Sequence, residues 1–210
     1  MKTLICIPCM DMVHTAFLQS LLGLKLVGEC GYSLRCSSLI YDARNSLVKE
    51  AIERGFDRML WFDSDMTFKN DTMERLSARI DEGAEIVSGL YFKRKAPIKP
   101  VLYKDIGYYK DGSNYTPAAI GYDDYPKDSY FECKGFGFGC VMHTVEVAKK
   151  VQDKYGLPFS PVMGFGEDLS FCGRLTEMGV KLMCDSTIKC GHVSQGIVSE
   201  KDYERGMTGA

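Results

Sequence analysis

The sequence predicts an α/β fold, a single domain with a mostly parallel central sheet flanked by helices, and four stretches carry that expectation. "TLICIPC" (residues 3–9) reads as a short buried strand closed by Pro8; "HTAFLQSLLGL" (14–24) follows with helical spacing, His14 or Thr15 near its start and Gly23 near its end. "DARNSLVKEAIERG" (42–55) places Ala43, Leu47, Val48, Ala51 and Ile52 on one helical face, with Asp42 as N-cap and Gly55 in the C′ position. "DRMLWF" (57–62) is mostly apolar, as expected of a strand covered on both faces inside a parallel sheet.

The remaining elements follow in order. "NDTMERLSARIDEG" (70–83) is a helix with Asp71 and Glu74 at capping-box spacing and Gly83 as its stop, and "AEIVSGLYF" (84–92) is the next strand. From Lys93 to Ser129 prolines, glycines, tyrosines and acidic residues without a clean period predict long loops or short irregular strands that shape a pocket. "YFECKGFGFGCVMHT" (130–144) resumes strand-like alternation. "VEVAKKVQDKYG" (145–156) and "EDLSFCGRLTEMG" (167–179) are helices, and "KLMCD" with "TIKCGHV" form a last strand pair before a polar tail. With no repeat or dividing linker, residues 1–210 read as one domain: a nucleotide-binding half over about 1–92 and an acceptor-side half over about 93–210.

Composition narrows the function classes. A net charge of −2 supplies no basic field of the kind that draws nucleic acid, so no nucleic-acid partner is expected. No segment approaches the roughly 18 apolar residues of a membrane span, and the apolar start is too short for a signal peptide, which predicts a cytoplasmic protein. Nine cysteines scattered singly through apolar stretches read as reduced, packed thiols.

The chemistry centres on "WFDSDMTF" (61–68), where an apolar strand runs into Asp63 and Asp65. Strand alternation sends residues i and i+2 to one side, so the two carboxylates can converge on one cation or phosphate. A Mg²⁺ or Mn²⁺ clamp on a nucleotide diphosphate fits, as does the aspartyl nucleophile and partner acid of haloacid-dehalogenase-like phosphatases, whose first motif, hhhhDxDx[TV], the stretch satisfies. An Asx turn or helix cap is the plain alternative. In "GFGEDLSF" (164–171), Glu167 and Asp168 stand in the first turn of a helix, a position the dipole alone would favour. His192 in "KCGHV" follows a strand and a glycine. Arg44 lies in the first turn of the helix that feeds the aspartate strand, offering a rigid fork to phosphate, and Lys93, Arg94 and Lys95 form a loop cluster able to reach a diphosphate. "CIPC" has no second pair to complete a zinc site, and "GFGFGC" lacks the final glycine of a dinucleotide fingerprint.

Taken in order, "ICIPC", "DARNSLVKEAIERGFDRMLWFDSDM" and "GFGEDLSFCGRLTEMGVKLMCDSTIKCGHV" resemble the GT-A-fold glycosyltransferases, in particular family-2-like and Anp1-like small enzymes of bacteria and phages. "DSD" looks like the DxD motif, "GED" like the acidic catalytic motif, and "GHV" like the late histidine of the metal site. The resemblance implies a metal-dependent, inverting transferase that moves a sugar from a nucleotide-diphosphate donor, UDP- or GDP-linked, to an acceptor hydroxyl. Asp65 would bind Mn²⁺ or Mg²⁺ directly, Asp63 would contact the ribose or reach the metal through water, and His192 would add a ligand. Pro8, Cys9 and Arg44 would line the nucleotide pocket, Asp168 would be the base, and Glu167 would hold the acceptor. Against it stand a phosphatase, whose nucleophile normally follows the first strand of its domain; a nucleotidyltransferase, whose glycine-rich basic signature "IPCMDMVHT" lacks; and a non-catalytic nucleotide-sugar-binding module.

Overall fold

The computed structural model describes residues 1–111, 114–162, 164–194 and 197–207. In chain order the elements are β1 (Lys2–Cys9), α1 (Thr15–Leu22), β2 (Glu29–Cys36), α2 (Ile40–Glu53), β3 (Arg58–Phe62), β4 (Met66–Thr67), α3 (Thr72–Asp81) and β5 (Ile86–Leu90). There follow β6 (Leu102–Asp111), β7 (Asn114–Gly121), β8 (Tyr130–Cys133), β9 (Gly135–Phe136), β10 (Cys140–Thr144) and α4 (Val145–Tyr155). The chain continues through α5 (Glu167–Glu177), β11 (Leu182–Lys189), β12 (Gly191–Val193), β13 (Ile197–Val198) and α6 (Glu200–Met207).

The central sheet has seven strands in the order β2-β1-β3-β10-β5-β11-β8. It is mixed, which corrects the expectation of a mostly parallel sheet: β10 runs antiparallel to both β3 and β5, and β8 antiparallel to β11. The cause lies in the connections. Of the strands that run parallel to β1 or to one another, β2, β3, β5 and β11 are each reached through a helix, which carries the chain back to the starting edge. No helix separates β5 from β10, so the chain re-enters from the edge at which β5 left and runs the other way.

Alternation divides the core into two layers. Leu4, Cys6, Met59 and Trp61 pack with residues of α2, α4 and α5 on one face, while Ile5, Ile7, Leu60 and Phe62 pack with Phe17 of α1 and Met73, Leu76 and Ile80 of α3 on the other. All five residues of β3 are buried, as its apolar sequence predicts. This three-layer arrangement is one domain.

Four local expectations need correction. The stretch 93–129 contains a long antiparallel hairpin, β6 with β7, which β9 extends into a three-stranded sheet. "KLMCD" and "TIKCGHV" are not a strand pair: β11 takes in "LMCD" and "TIK" as one strand, its register against β5 shifting between Asp185 and Lys189, and "GHV" is β12; the polar Ser186 inside β11 is fully buried, hydrogen-bonded to the Pro126 and Ser129 carbonyls. Helix α2 starts at Ile40 with Leu39 as N-cap, so Asp42 sits in the first turn and meets the dipole instead of capping. Asp71 holds the N-cap position of α3 but its side chain makes no capping bond, so the capping box does not form. The edge strand β2 and helix α6 carry too little apolar periodicity to stand out in sequence.

Candidate functional site

The site forms at the carboxyl ends of β1 and β3, the edge of an α/β sheet where ligands collect. Strand β3 stops at Phe62. The next residues turn, with the Met66 amide donating to the Asp63 carbonyl at 3.1 Å, and strand alternation therefore does not govern Asp63 and Asp65. The two carboxylates part instead of sharing a direction. The turn is held from both sides: the Asp63 amide donates to Gly139 O, and His14, the N-cap of α1, donates its amide to Ser64 O.

Asp63 turns toward Arg44, whose Nη2 donates to its Oδ1 at 2.8 Å, while Arg44 Nε donates to Glu167 Oε1 at 3.2 Å. The Arg44 guanidinium is buried over the rings of Trp61, Phe138 and Phe159, at 5.5, 5.4 and 5.8 Å from their centroids. Burial works against its charge, but the carboxylates of Asp63, Glu167 and Asp168 outweigh it and raise the pKa above the ordinary arginine value. Its Nη1 is buried without a hydrogen-bond partner, so this cation keeps an unused donor.

Asp65 faces the other way. Its Oδ2 lies 2.7 Å from Arg94 Nη1 and 3.5 Å from His192 Nε2. Burial raises its pKa, but His192 and Arg94 outweigh burial and leave it lowered, so Asp65 is a carboxylate. His192 reaches this point because β12 pairs with β4, setting His192 opposite Met66 in the strand that follows the turn. Its Nδ1 lies 2.9 Å from the Phe92 carbonyl, which can only accept, so Nδ1 carries a proton; Nε2, facing Asp65, donates to it when the ring is charged and offers it a lone pair when the ring is neutral.

Asp168, in the first turn of α5, is partly buried and its Oδ1 accepts from the Leu169 amide at 2.7 Å. Burial, then Glu167 and Asp63, push its pKa up to about 6 against the pull of the Leu169 amide and Arg44. Gly164 adopts φ +85°, and a Cβ there would fall 2.2 Å from Pro117, so the turn before α5 can press against the β6–β7 hairpin only as glycine. Pro8 and Cys9 close β1 beside this cluster; both are buried, with Cys9 Sγ 3.3 Å from Cys36 Sγ of β2.

The residues singled out in sequence thus fall into two groups, Arg44–Asp63–Glu167–Asp168 and Asp65–His192–Arg94, with Pro8 and Cys9 alongside. Among the described residues no three acidic, histidine or cysteine side chains are placed to hold a metal together. Asp65 and His192 are of a kind that could hold a divalent cation: one carboxylate oxygen and one imidazole nitrogen face each other and the second ring nitrogen is fixed by a backbone carbonyl, with Arg94 Nη1 standing 2.7 Å from the same carboxylate oxygen. Asp63 is held away from that point by Arg44.

Sequence reasoning missed Tyr91 and Phe92. The Tyr91 hydroxyl accepts the Gly139 amide at 3.2 Å, and its ring packs edge-on against His192 at 5.5 Å. Burial, then the charges of Asp63 and Asp168, raise its pKa far above the ordinary tyrosine value, so the hydroxyl keeps its proton. A Cβ at Gly137 or Gly139 would lie 2.0 or 2.9 Å from Tyr91, so these two glycines of "GFGFG" make room for its ring, while Gly135 makes room for Ile106. That alternation was the available signal.

No family model and no curated protein matches the chain. Among solved structures, the crystal structure of A197 from STIV is similar, with a TM-score of 0.66 and 18% identity over 96% of this chain and 92% of that one. That likeness is one of fold: a mixed α/β domain with a large central sheet flanked by helices.

Proposed function

We propose that this chain is a metal-dependent glycosyltransferase of the GT-A type, moving a sugar from a nucleotide-diphosphate donor to an acceptor hydroxyl. The observation that carries the reading is the opposition of Asp65 Oδ2 and His192 Nε2 at 3.5 Å beside a turn whose other carboxylate is anchored by buried Arg44. A neutral His192 ring turns its Nε2 lone pair toward this carboxylate, and a divalent cation between them would be bound by both. A Mg²⁺ or Mn²⁺ ion bound there would supply positive charge against a departing diphosphate.

The chain's own groups divide the remaining work. Arg44 fixes Asp63 and Glu167 and keeps Nη1 free for a ribose or phosphate oxygen. Arg94, half-exposed on its loop, is within reach of the same anionic group. Asp168, titrating at about 6, is ionised at neutral pH yet basic enough to take a proton from the acceptor hydroxyl, and the Leu169 amide orients its carboxylate. Asp63, the nucleophile of the phosphatase reading, is ion-paired with a buried arginine, which supports the transferase instead.

The test is a thermal-shift screen of UDP, GDP and their sugar conjugates with and without Mn²⁺. The expected outcome is stabilisation by one nucleotide class only with metal, lost in Asp65→Asn. Phosphate release from an aryl phosphate with no nucleotide response would overturn the reading.

A further inference from the structure

The two edges of the central sheet are unlike. Strand β8 is short, four residues, and is blunted by Glu132 and the following Lys134. Strand β2 is eight residues long, pairs with β1 in an unbroken register, and contains neither proline nor lysine. Among the described residues no strand pairs with its outer side. Native sheets normally protect such an edge.

The side chains of β2 add to the exposure. Tyr32 and Leu34 are 48% and 51% exposed, and with Leu22 and Leu26, at 79% and 47%, they border an open apolar groove of about 530 Å³ against α1. On the opposite face stand Glu29 and Arg35, whose side chains are 69% and 49% exposed although each has an intrachain partner, Lys2 and Glu50.

We propose that β2 is the dimer interface of this protein, pairing antiparallel with β2 of a second copy across a two-fold axis at Tyr32. The sequence "ECGYSLRC" is self-complementary in that register. Tyr32 meets Tyr32 of the other copy, Cys30 meets Leu34, Gly31 meets Ser33, and Glu29 meets Arg35 twice. No other antiparallel two-fold register places Glu29 opposite Arg35, and this one keeps both apolar faces on the same side. An isologous contact of this kind joins the two central sheets and lets the groove leucines of one copy approach those of the other. The occupant is a second copy because charge and apolar surface match under the one symmetry operation.

Sedimentation velocity across a concentration series reads the outcome. The wild type is expected to dimerise reversibly, and Leu34→Lys to shift dissociation to higher concentration by about tenfold or more. Arg35→Glu and Glu29→Arg, each alone, face like charges and are expected to be monomeric. Mixed together they form a heterodimer, because in the mixture both Glu29–Arg35 contacts are opposite in sign again. A wild type that stays monomeric throughout the series overturns the proposal without recourse to variants. So does a mixture that associates no better than its two components.

Discussion

Trp61 and Asp63 stand two residues apart, yet they belong to regions with opposite uses of polar groups. Below, Trp61 Nε1 donates to His143 Nε2 at 2.8 Å, while His143 Nδ1 lies 2.8 Å from the Thr144 carbonyl, and the pair is enclosed by Phe138, Phe159 and Phe171. Every nitrogen there has a protein partner. Above, His192 has its Nδ1 on a carbonyl and its Nε2 3.5 Å from Asp65, Asp65 is shared between Arg94 and this imidazole, and Arg44 keeps a buried N–H unpaired. A satisfied imidazole is structural; one whose second nitrogen faces a carboxylate beside an arginine is the contact on which the proposed cation site rests. Arg44 joins the regions, its guanidinium lying on the aromatic layer while its edge meets the carboxylates.

The largest effect that sharpens this contrast is at Asp168. If it is the base, Asp168→Asn should lower transferase activity by about 10²- to 10⁴-fold. Stability should move the other way. The folded-state pKa is raised from 3.8 to about 6, so its contribution favours folding at low pH and is lost as pH rises through about 6. That interval is worth at most about 3 kcal/mol, so the variant should be more stable than wild type at neutral pH and indistinguishable near pH 4. Chemical denaturation at the two pH values checks it, and equal stability at both would place Asp168 outside the strained group.

Next comes the core histidine. Burial lowers the pKa of His143 from 6.5 to about 4, so its contribution to stability is complete above pH 6.5 and is lost as pH falls through about 4, by roughly 3 kcal/mol. In the wild type this slope and that of Asp168 oppose one another between pH 4 and 6. The Asp168→Asn background should therefore expose it, as acid-induced unfolding followed by the fluorescence of Trp61, the single tryptophan. Absence of the slope in that background would mean that His143 is already charged in the core.

A smaller effect tests the upper region directly. His192→Ala should weaken Mn²⁺ binding by about tenfold to a hundredfold, as measured by the paramagnetic signal of free Mn²⁺, with little change in the acid slope of the core. An affinity unchanged by the substitution would reduce His192 to a hydrogen-bonding strand residue.

These two regions were not equally legible in sequence. The helix faces of α2, the all-buried β3 and the glycine stops after α2, α3 and α5 follow from local periodicity and backbone freedom, which a sequence states directly. The role of β10 depends on which edge the chain returns from, a property of the excursion 93–139 and not of β10 itself. Arg44, Asp63, Asp65, Glu167, Asp168 and His192 were identifiable because motif order and strand ends select them. Their division into two groups was not: it depends on a turn at residues 63–66 that "DSDM" shares with many extended segments. Tyr91 was hidden because its partners are glycines, which signal space without naming what fills it.

The smallest expected effect concerns Arg94, and it separates two uses of the same contact. Arg94 Nη1 lies nearer to Asp65 Oδ2 than His192 Nε2 does, 2.7 against 3.5 Å, and its side chain is half-exposed. An exposed ion pair of this kind is weak, about 1 kcal/mol or less. If the guanidinium occupies the place of a cation, Arg94→Ala should strengthen Mn²⁺ binding by about two- to fivefold in the absence of nucleotide. With a nucleotide diphosphate present the sign should reverse, because the arginine, displaced from Asp65, then meets phosphate. Titration of Mn²⁺ with and without UDP and GDP distinguishes the cases: a weakening in both conditions would make Arg94 a support for Asp65, and the upper region would then be pre-assembled in the same sense as the aromatic core beneath it.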